Sequence, residues 1–123
     1  MKIVINTCYG GFGLSREAGR WLLANGIEEP FKSQIQKSLN RDKKDPLSGG
    51  IWCDLQDYPN RTHPLLVKCV KTLGEKANGK YAELEVEEVS GNYFRIDEYD
   101  GVESVITPDL DYFIKNQYNE SNR

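Results

Sequence analysis

The chain changes rhythm along its length, with apolar residues at helical spacing in the first two-thirds and strict apolar–polar alternation in the last. Ile3-Val4-Ile5 is a continuous β-branched run, the pattern of a strand covered on both faces. Asn6 to Gly13 follows, and its glycines stop that strand. Ser15 is then placed to cap a helix over Arg16 to Ala24, with Asn25-Gly26 as its stop and Ala18, Trp21 and Leu22 as its apolar stripe. Phe31, Ile35 and Leu39 predict a second, short helix. Asn40 to Lys44 reads as an exposed charged patch ended by Asp45-Pro46, and Leu47-Ser48-Gly49-Gly50 as turn chemistry. Ile51-Trp52-Cys53 reads as a short strand or a loop anchor, and Tyr58-Pro59-Asn60 as a turn.

A better-signalled helix begins at Pro64 under a cap from Thr62 or His63 and is predicted to run to Asn78-Gly79. Leu66, Val67, Cys69, Val70 and Leu73 form its buried face, while Lys68, Lys71 and Lys76 form the wet one. Ala82, Leu84 and Val86 alternate with Glu83, Glu85 and Glu87, which predicts a half-buried strand. Ser90-Gly91-Asn92 reads as a hairpin turn into Tyr93 to Tyr99, where Phe94 and Ile96 face one way and Tyr93, Arg95 and Asp97 the other. Asp100-Gly101 turns the chain into a strand over Val102 to Ile106, closed by Thr107-Pro108. Tyr112-Phe113-Ile114 suggests a final short helix, and 116–123 a polar tail that frays in a monomer. The sum is one α+β domain over residues 1–123 with a C-terminal antiparallel β-meander, in which 31–50 is an insertion, lid or interface element.

Composition narrows the function classes. With 123 residues, 38% hydrophobic and 28% charged, the chain can bury a core without disulfides or metal. A net charge of −3 disfavours binding along a nucleic-acid backbone. No apolar run approaches the roughly 20 residues that span a bilayer, so a membrane partner is not expected. Cys8, Cys53 and Cys69 are odd in number and widely spaced, as in a protein of a reducing cytosol. His63 is the only histidine, so neither a zinc site of known spacing nor a marked catalytic triad can be built, and no cofactor or metal is expected.

Three constellations can carry chemistry. The first is the loop Tyr9, Gly10, Gly11 and Gly13 before a helix that bears Arg16 and Arg20. Amides of such a loop suit a phosphate, although Arg16 stands where a dinucleotide fingerprint needs its third glycine. The same glycines also suit a tight connection that lets Phe12 enter the core. The second is Arg61 and His63 at the start of the Pro64 helix, read as an ordinary cap or as an anion site. The third is Tyr81, Asn92, Tyr93, Arg95 and Tyr99 on the C-terminal strands, read as a wet sheet face or as stacking and phosphate contacts for a nucleotide. Glu83, Glu85 and Glu87 read as a solvated face rather than metal ligands, and Cys8 as a small hydrophobe.

The opening Lys2-Ile3-Val4-Ile5-Asn6-Thr7-Cys8-Tyr9-Gly10-Gly11-Phe12-Gly13-Leu14-Ser15 resembles that of a family of small phage-encoded proteins. Further landmarks are Arg61 near His63-Pro64, Leu73 to Gly79, and Glu98-Tyr99-Asp100-Gly101, whereas Glu28 to Asp57 matches none. In size and layout the chain looks most like the Thoeris anti-defence sponges. That resemblance implies a homo-oligomer in the host cytoplasm that sequesters cyclic ADP-ribose signals made by bacterial TIR-domain proteins, without degrading them. Some members are associated with the cyclic oligonucleotides of CBASS immunity. The candidate ligand-binding set is therefore Tyr9, Gly10, Gly11, Gly13, Arg16, Arg61, His63, Tyr81, Asn92, Arg95 and Tyr99, with no catalytic residue. Two other readings compete: an acidic inhibitor that masks a basic host protein, and a small nucleotide hydrolase using Cys8 or a carboxylate.

Overall fold

A computed structural model describes residues 1–41, 50–106 and 114–118. The β-branched opening forms strand β1 (Lys2–Asn6), and four of its five residues are buried. Its two faces serve two cores, as the unbroken apolar run requires. Val4 joins Leu84, Leu22, Leu66 and Ile35 on one side, while Ile3 and Ile5 meet Phe94 and Ile96 on the other.

Helix α1 (Arg16–Ala24) starts where the sequence places it, with the Ser15 hydroxyl accepting from the Ala18 amide at 3.0 Å. Helix α2 (Phe31–Leu39) buries Phe31 and Ile35. Helix α3 (Pro64–Leu73) is capped by His63, whose Nδ1 accepts from the Leu65 amide at 3.1 Å. It ends short of the expected Asn78-Gly79. Gly74 takes φ +57, which breaks the helical path, and a single 3-10 turn, Gly74–Ala77, fills the rest. The local pattern of Leu73 and Ala77 continues the apolar stripe, so the glycine decides the end. Ile51 acts as a loop anchor, bridging to Leu14, with its amide donating to the Leu14 carbonyl at 3.0 Å. The expected turn at Tyr58–Asn60 is a 3-10 turn that follows another at Asp54–Gln56.

Strand β2 (Leu84–Glu88) pairs antiparallel with β1, in the register Val4 opposite Val86. It does not pair with the strand that follows it, so Ser90-Gly91-Asn92 is a crossing between sheets rather than a hairpin turn. The reason lies in β1, which supplies β2 with a partner remote in sequence. The meander is built from β3 (Tyr93–Tyr99), β4 (Val102–Ile106) and β5 (Ile114–Lys115), ordered β4-β3-β5 and antiparallel throughout. Asp100 and Gly101 both have positive φ, as a two-residue hairpin loop demands.

The layers are thus helices, the β1–β2 ribbon, and the three-stranded sheet, an α+β domain with a C-terminal meander. Asn116 and Tyr118 are held at the α3 end: the Thr62 hydroxyl donates to Asn116 Oδ1 at 2.9 Å, and the Tyr118 phenol to Asn60 Oδ1 at 2.6 Å. The start of the polar tail is therefore tied down rather than frayed. Residues 42–49, Thr107-Pro108 and Tyr112-Phe113, which hold most of the expected charged patch, a turn and the start of the expected final helix, lie outside the described residues, while Ile114 opens β5 rather than ending a helix, because it pairs with Phe94. No described helix is long and apolar enough to cross a membrane.

Candidate functional site

Asn6, at the end of β1, is the buried polar hub of one end of the molecule. Its Nδ2 donates to the carbonyls of Cys8 (2.7 Å) and Gly101 (2.8 Å), and its Oδ1 accepts from the Glu83 amide (2.8 Å). Its own amide donates to Glu103 Oε1 at 2.8 Å. The strand end, the glycine loop, the segment before β2 and the β3–β4 hairpin are thereby drawn together.

The loop glycines are explained by that convergence. A side chain on Gly10 would place its Cβ 1.7 Å from the Tyr81 carbonyl oxygen. The Gly13 carbonyl accepts from the Gly79 amide at 2.8 Å, and Gly11 supplies φ +88. Gly101, from the hairpin, packs against the backbone of Tyr9 and Gly11. The tight-connection reading therefore accounts for the spacing of glycines here.

Three side chains stand outward around this junction. Tyr9, Tyr81 and Tyr99 are 73%, 67% and 79% exposed. Lys80 Nζ lies 5.3 Å from the centre of the Tyr81 ring, a cation over an aromatic face. The amides of Tyr9 and Gly10 donate to no described group.

Arg61 is placed very differently from the sequence expectation. It is 2% exposed and forks onto Glu103, with Nη1 to Oε1 at 2.6 Å and Nη2 to Oε2 at 2.8 Å. Its Nε donates to the Gln56 carbonyl (2.7 Å), and Nη1 also to the Val4 carbonyl (3.2 Å). The Phe12 ring covers the guanidinium at 3.8 Å and Tyr58 flanks it at 5.3 Å. An Arg whose charge is met by a buried carboxylate is a poor phosphate clamp, so the phosphate role read for Arg61 is corrected to a structural one.

A cavity of about 200 Å³ opens beside this pair, its lining including Phe12, Asp57, Tyr58, Arg61, Glu98 and Glu103, with Gly11 joining from the glycine loop. Burial, with Glu103 beside it, pushes the Tyr58 phenol above its ordinary range and keeps it protonated. Among the described residues, no group of His, Cys, Asp and Glu side chains could hold a metal ion.

The remaining sequence candidates are spread through the fold. Arg16 donates to the Ser38 and Leu39 carbonyls (3.3 and 2.6 Å) and so closes the end of α2 instead of facing the glycine loop. His63 is a cap: Nδ1 takes the Leu65 amide and Nε2–H reaches Glu28 at 2.8 Å, so both ring nitrogens are engaged. Asn92 and Arg95 lie toward the opposite end of β3, and Tyr93 is about 20 Å along the strand from Tyr99. Arg95 pairs with Asp97 on the outer face, at 2.9 Å. The proposed set thus separates: Tyr9, Gly10, Gly11 and Tyr81 meet at one junction, with Gly13 packed on Gly79 beside it and Tyr99 in the hairpin whose Gly101 packs there, while Arg16, His63, Asn92 and Arg95 do not join them.

Asn6 and Glu103 are the residues that sequence reasoning missed. An Asn closing an apolar run and a Glu between a valine and a serine in a strand carry no signal of a buried network. Cys8 is only half-buried, its thiol 3.0 Å from the Tyr81 carbonyl, whereas burial pushes the Cys53 and Cys69 thiols up to about 11 and about 12. Compared with protein-family models, curated proteins and solved structures, the chain matches none. What the fold and this junction define is therefore a class: a small α+β domain with an aromatic, glycine-rich end.

Proposed function

We propose that the protein is a non-catalytic binding module that sequesters a cyclic nucleotide immune signal, a cyclic ADP-ribose isomer or a cyclic oligonucleotide, in the cytoplasm of a phage-infected host. The observation that carries this reading is the exposure of Tyr9 and Tyr81, whose backbones meet at the glycine loop, with Lys80 over the Tyr81 ring and Tyr99 exposed in the hairpin that packs on the loop through Gly101. Aromatic faces stack on bases at about 1–3 kcal/mol each, and a lysine beside them meets the attached phosphate. The unbonded Tyr9 and Gly10 amides supply further donors for it. The resemblance of the opening block to small phage-encoded proteins, and of the size and layout to anti-defence sponges, points the same way.

Tight capture needs about −12 kcal/mol for a nanomolar Kd, more than an open tyrosine cluster supplies by itself. Self-association that encloses the ligand between copies would make up the difference, and a homo-oligomer is part of the proposal. The test is capture and release: each of a panel of cyclic ADP-ribose isomers and cyclic oligonucleotides is incubated with the protein, free ligand is removed, and the heat-released material is identified by mass spectrometry. Intact ligand in stoichiometric amount is the expected result, and a converted product or no capture at all would refute it.

A second reading has its own observation. Glu83, Glu85, Glu87 and Glu88 are exposed along the β2 segment, which has no described strand partner on its outer edge. Such an acidic edge suits a basic host protein, and a stable complex recovered by pull-down in place of captured nucleotide would favour it.

A further inference from the structure

The cavity beside Arg61 has a hydrogen-bonding pattern that selects its occupant. Asp57 and Glu98 line it, and neither side chain has a hydrogen bond or ion pair with any described group. Carboxylates only accept, so an occupant must bring N–H donors to them. Arg61 supplies the opposite requirement. Its guanidinium carries five N–H groups, of which four are used: one by Gln56, one by Val4 and two by Glu103. One Nη2 hydrogen of this almost wholly buried side chain has no acceptor among the described residues. A complementary ligand therefore presents donors together with an acceptor.

Charge sets which end of a nucleotide enters. Arg61 and Glu103 cancel, which leaves Asp57 and Glu98 uncompensated in the lining. A phosphate is repelled there, and a neutral, donor-bearing base is not. At about 200 Å³ the space is below the 300–1,000 Å³ typical of whole-ligand pockets and suits a single planar base against the Tyr58 and Phe12 rings. Gly11 lines the cavity and adjoins Gly10, which touches Tyr81, so the rest of a ligand has a short path to the tyrosines and Lys80.

We propose that this cavity reads the base of the captured nucleotide and that it accepts guanine in preference to adenine. Guanine presents its N1–H and 2-amino donors beside the O6 acceptor. A carboxylate of Glu98 or Asp57 takes the two donors as a fork, and O6 takes the spare Arg61 hydrogen. Adenine brings one amino group and a ring acceptor, so it leaves a carboxylate without its second donor. A site built on hydrogen bonds discriminates strongly against a ligand that leaves its polar groups unpaired.

The inference rests on the nucleotide-binding reading above, and the experiment separates the two. Cyclic di-GMP and cyclic di-AMP share charge and ring size and differ only in the base. Their affinities are measured calorimetrically for the unmodified protein and for Asp57→Asn/Glu98→Gln, whose sites are both exposed. The expected result is at least a tenfold preference for cyclic di-GMP that falls below threefold in the double variant. Equal affinities, a preference that survives the double variant, or capture of cyclic ADP-ribose with neither dinucleotide bound would overturn the guanine assignment and leave sequestration standing. Binding of no nucleotide at all would remove both.

Discussion

Removing the Glu103 carboxylate is the sharpest test of how this end of the molecule is built. In Glu103→Ala, three buried donors lose their acceptor: Nη1 and Nη2 of Arg61, and the Asn6 amide. Each orphaned donor costs about 1–3 kcal/mol, more for a charged one, and breaking a buried ion pair from one side costs about 3–5 kcal/mol in all. The adjoining cavity lets water reach Arg61, which places the loss nearer the lower figure, at about 3–4 kcal/mol. Against a total stability of about 5–15 kcal/mol, that lowers the urea midpoint well clear of error. Urea unfolding followed by the fluorescence of Trp21 and Trp52 measures it. The paired replacement Arg61→Met/Glu103→Leu should lose less than Glu103→Ala, because no charge is left behind, with a coupling of at least about 1.5 kcal/mol. A Glu103→Ala loss under about 1 kcal/mol, or simple additivity in the pair, would refute the reasoning. Arg61→Ala that leaves stability intact would show that the pair is not structural and would return Arg61 to the role of a phosphate contact.

Gly10→Ala should destabilise by more than about 2 kcal/mol, because its Cβ has no room beside the Tyr81 carbonyl; the same urea transition reports it. Ser15→Ala removes the acceptor for the Ala18 amide and should cost about 1 kcal/mol, read as a lower thermal midpoint. Partial burial pulls Glu28 up, but the hydrogen bond to His63, a backbone hydrogen bond and the charge of His63 together outweigh it and leave its pKa below the ordinary carboxylate value. Its contribution is therefore present above the unfolded pKa and lost as pH falls through the lower folded one. Glu28→Gln should flatten the acid limb of stability below about pH 4.5, as followed by circular dichroism at stepped pH. Of the three cysteines, Cys8 alone should react quickly with a thiol reagent in the folded protein, since burial raises the other two thiols; fast labelling of two or three would contradict that burial.

Local signals carried most of the architecture. The Ser15 cap, the Pro64 start, the Phe31–Ile35–Leu39 stripe and the alternation of Tyr93 to Tyr99 depend on neighbours within a few residues, and each element forms there. What was not legible was pairing at a distance. The alternation that marks Leu84 to Val86 as a strand is silent on whether its partner is β3, next in the chain, or β1, more than 75 residues away. Gly74 shows a different limit, since the apolar stripe runs through it and only its backbone turn stops the helix.

The same limit governs the site. An arginine beside a glycine loop or a helix start, as Arg16 and Arg61 are, attracts anions when its charge is free. Whether the charge is free is decided by residues remote in sequence: Ser38 and Leu39 for one, Glu103 for the other. Tyrosines do not have this ambiguity, because no partner elsewhere in the chain cancels an exposed ring. Tyr9, Tyr81 and Tyr99 accordingly come through the folded structure as surface groups, on segments drawn close by glycines whose spacing also suits a phosphate cradle. Recognition at this end then depends on aromatic faces and Lys80 outside, and on the acceptor-rich cavity within. The buried Arg61–Glu103 pair holds that cavity in shape and lends it a single spare hydrogen.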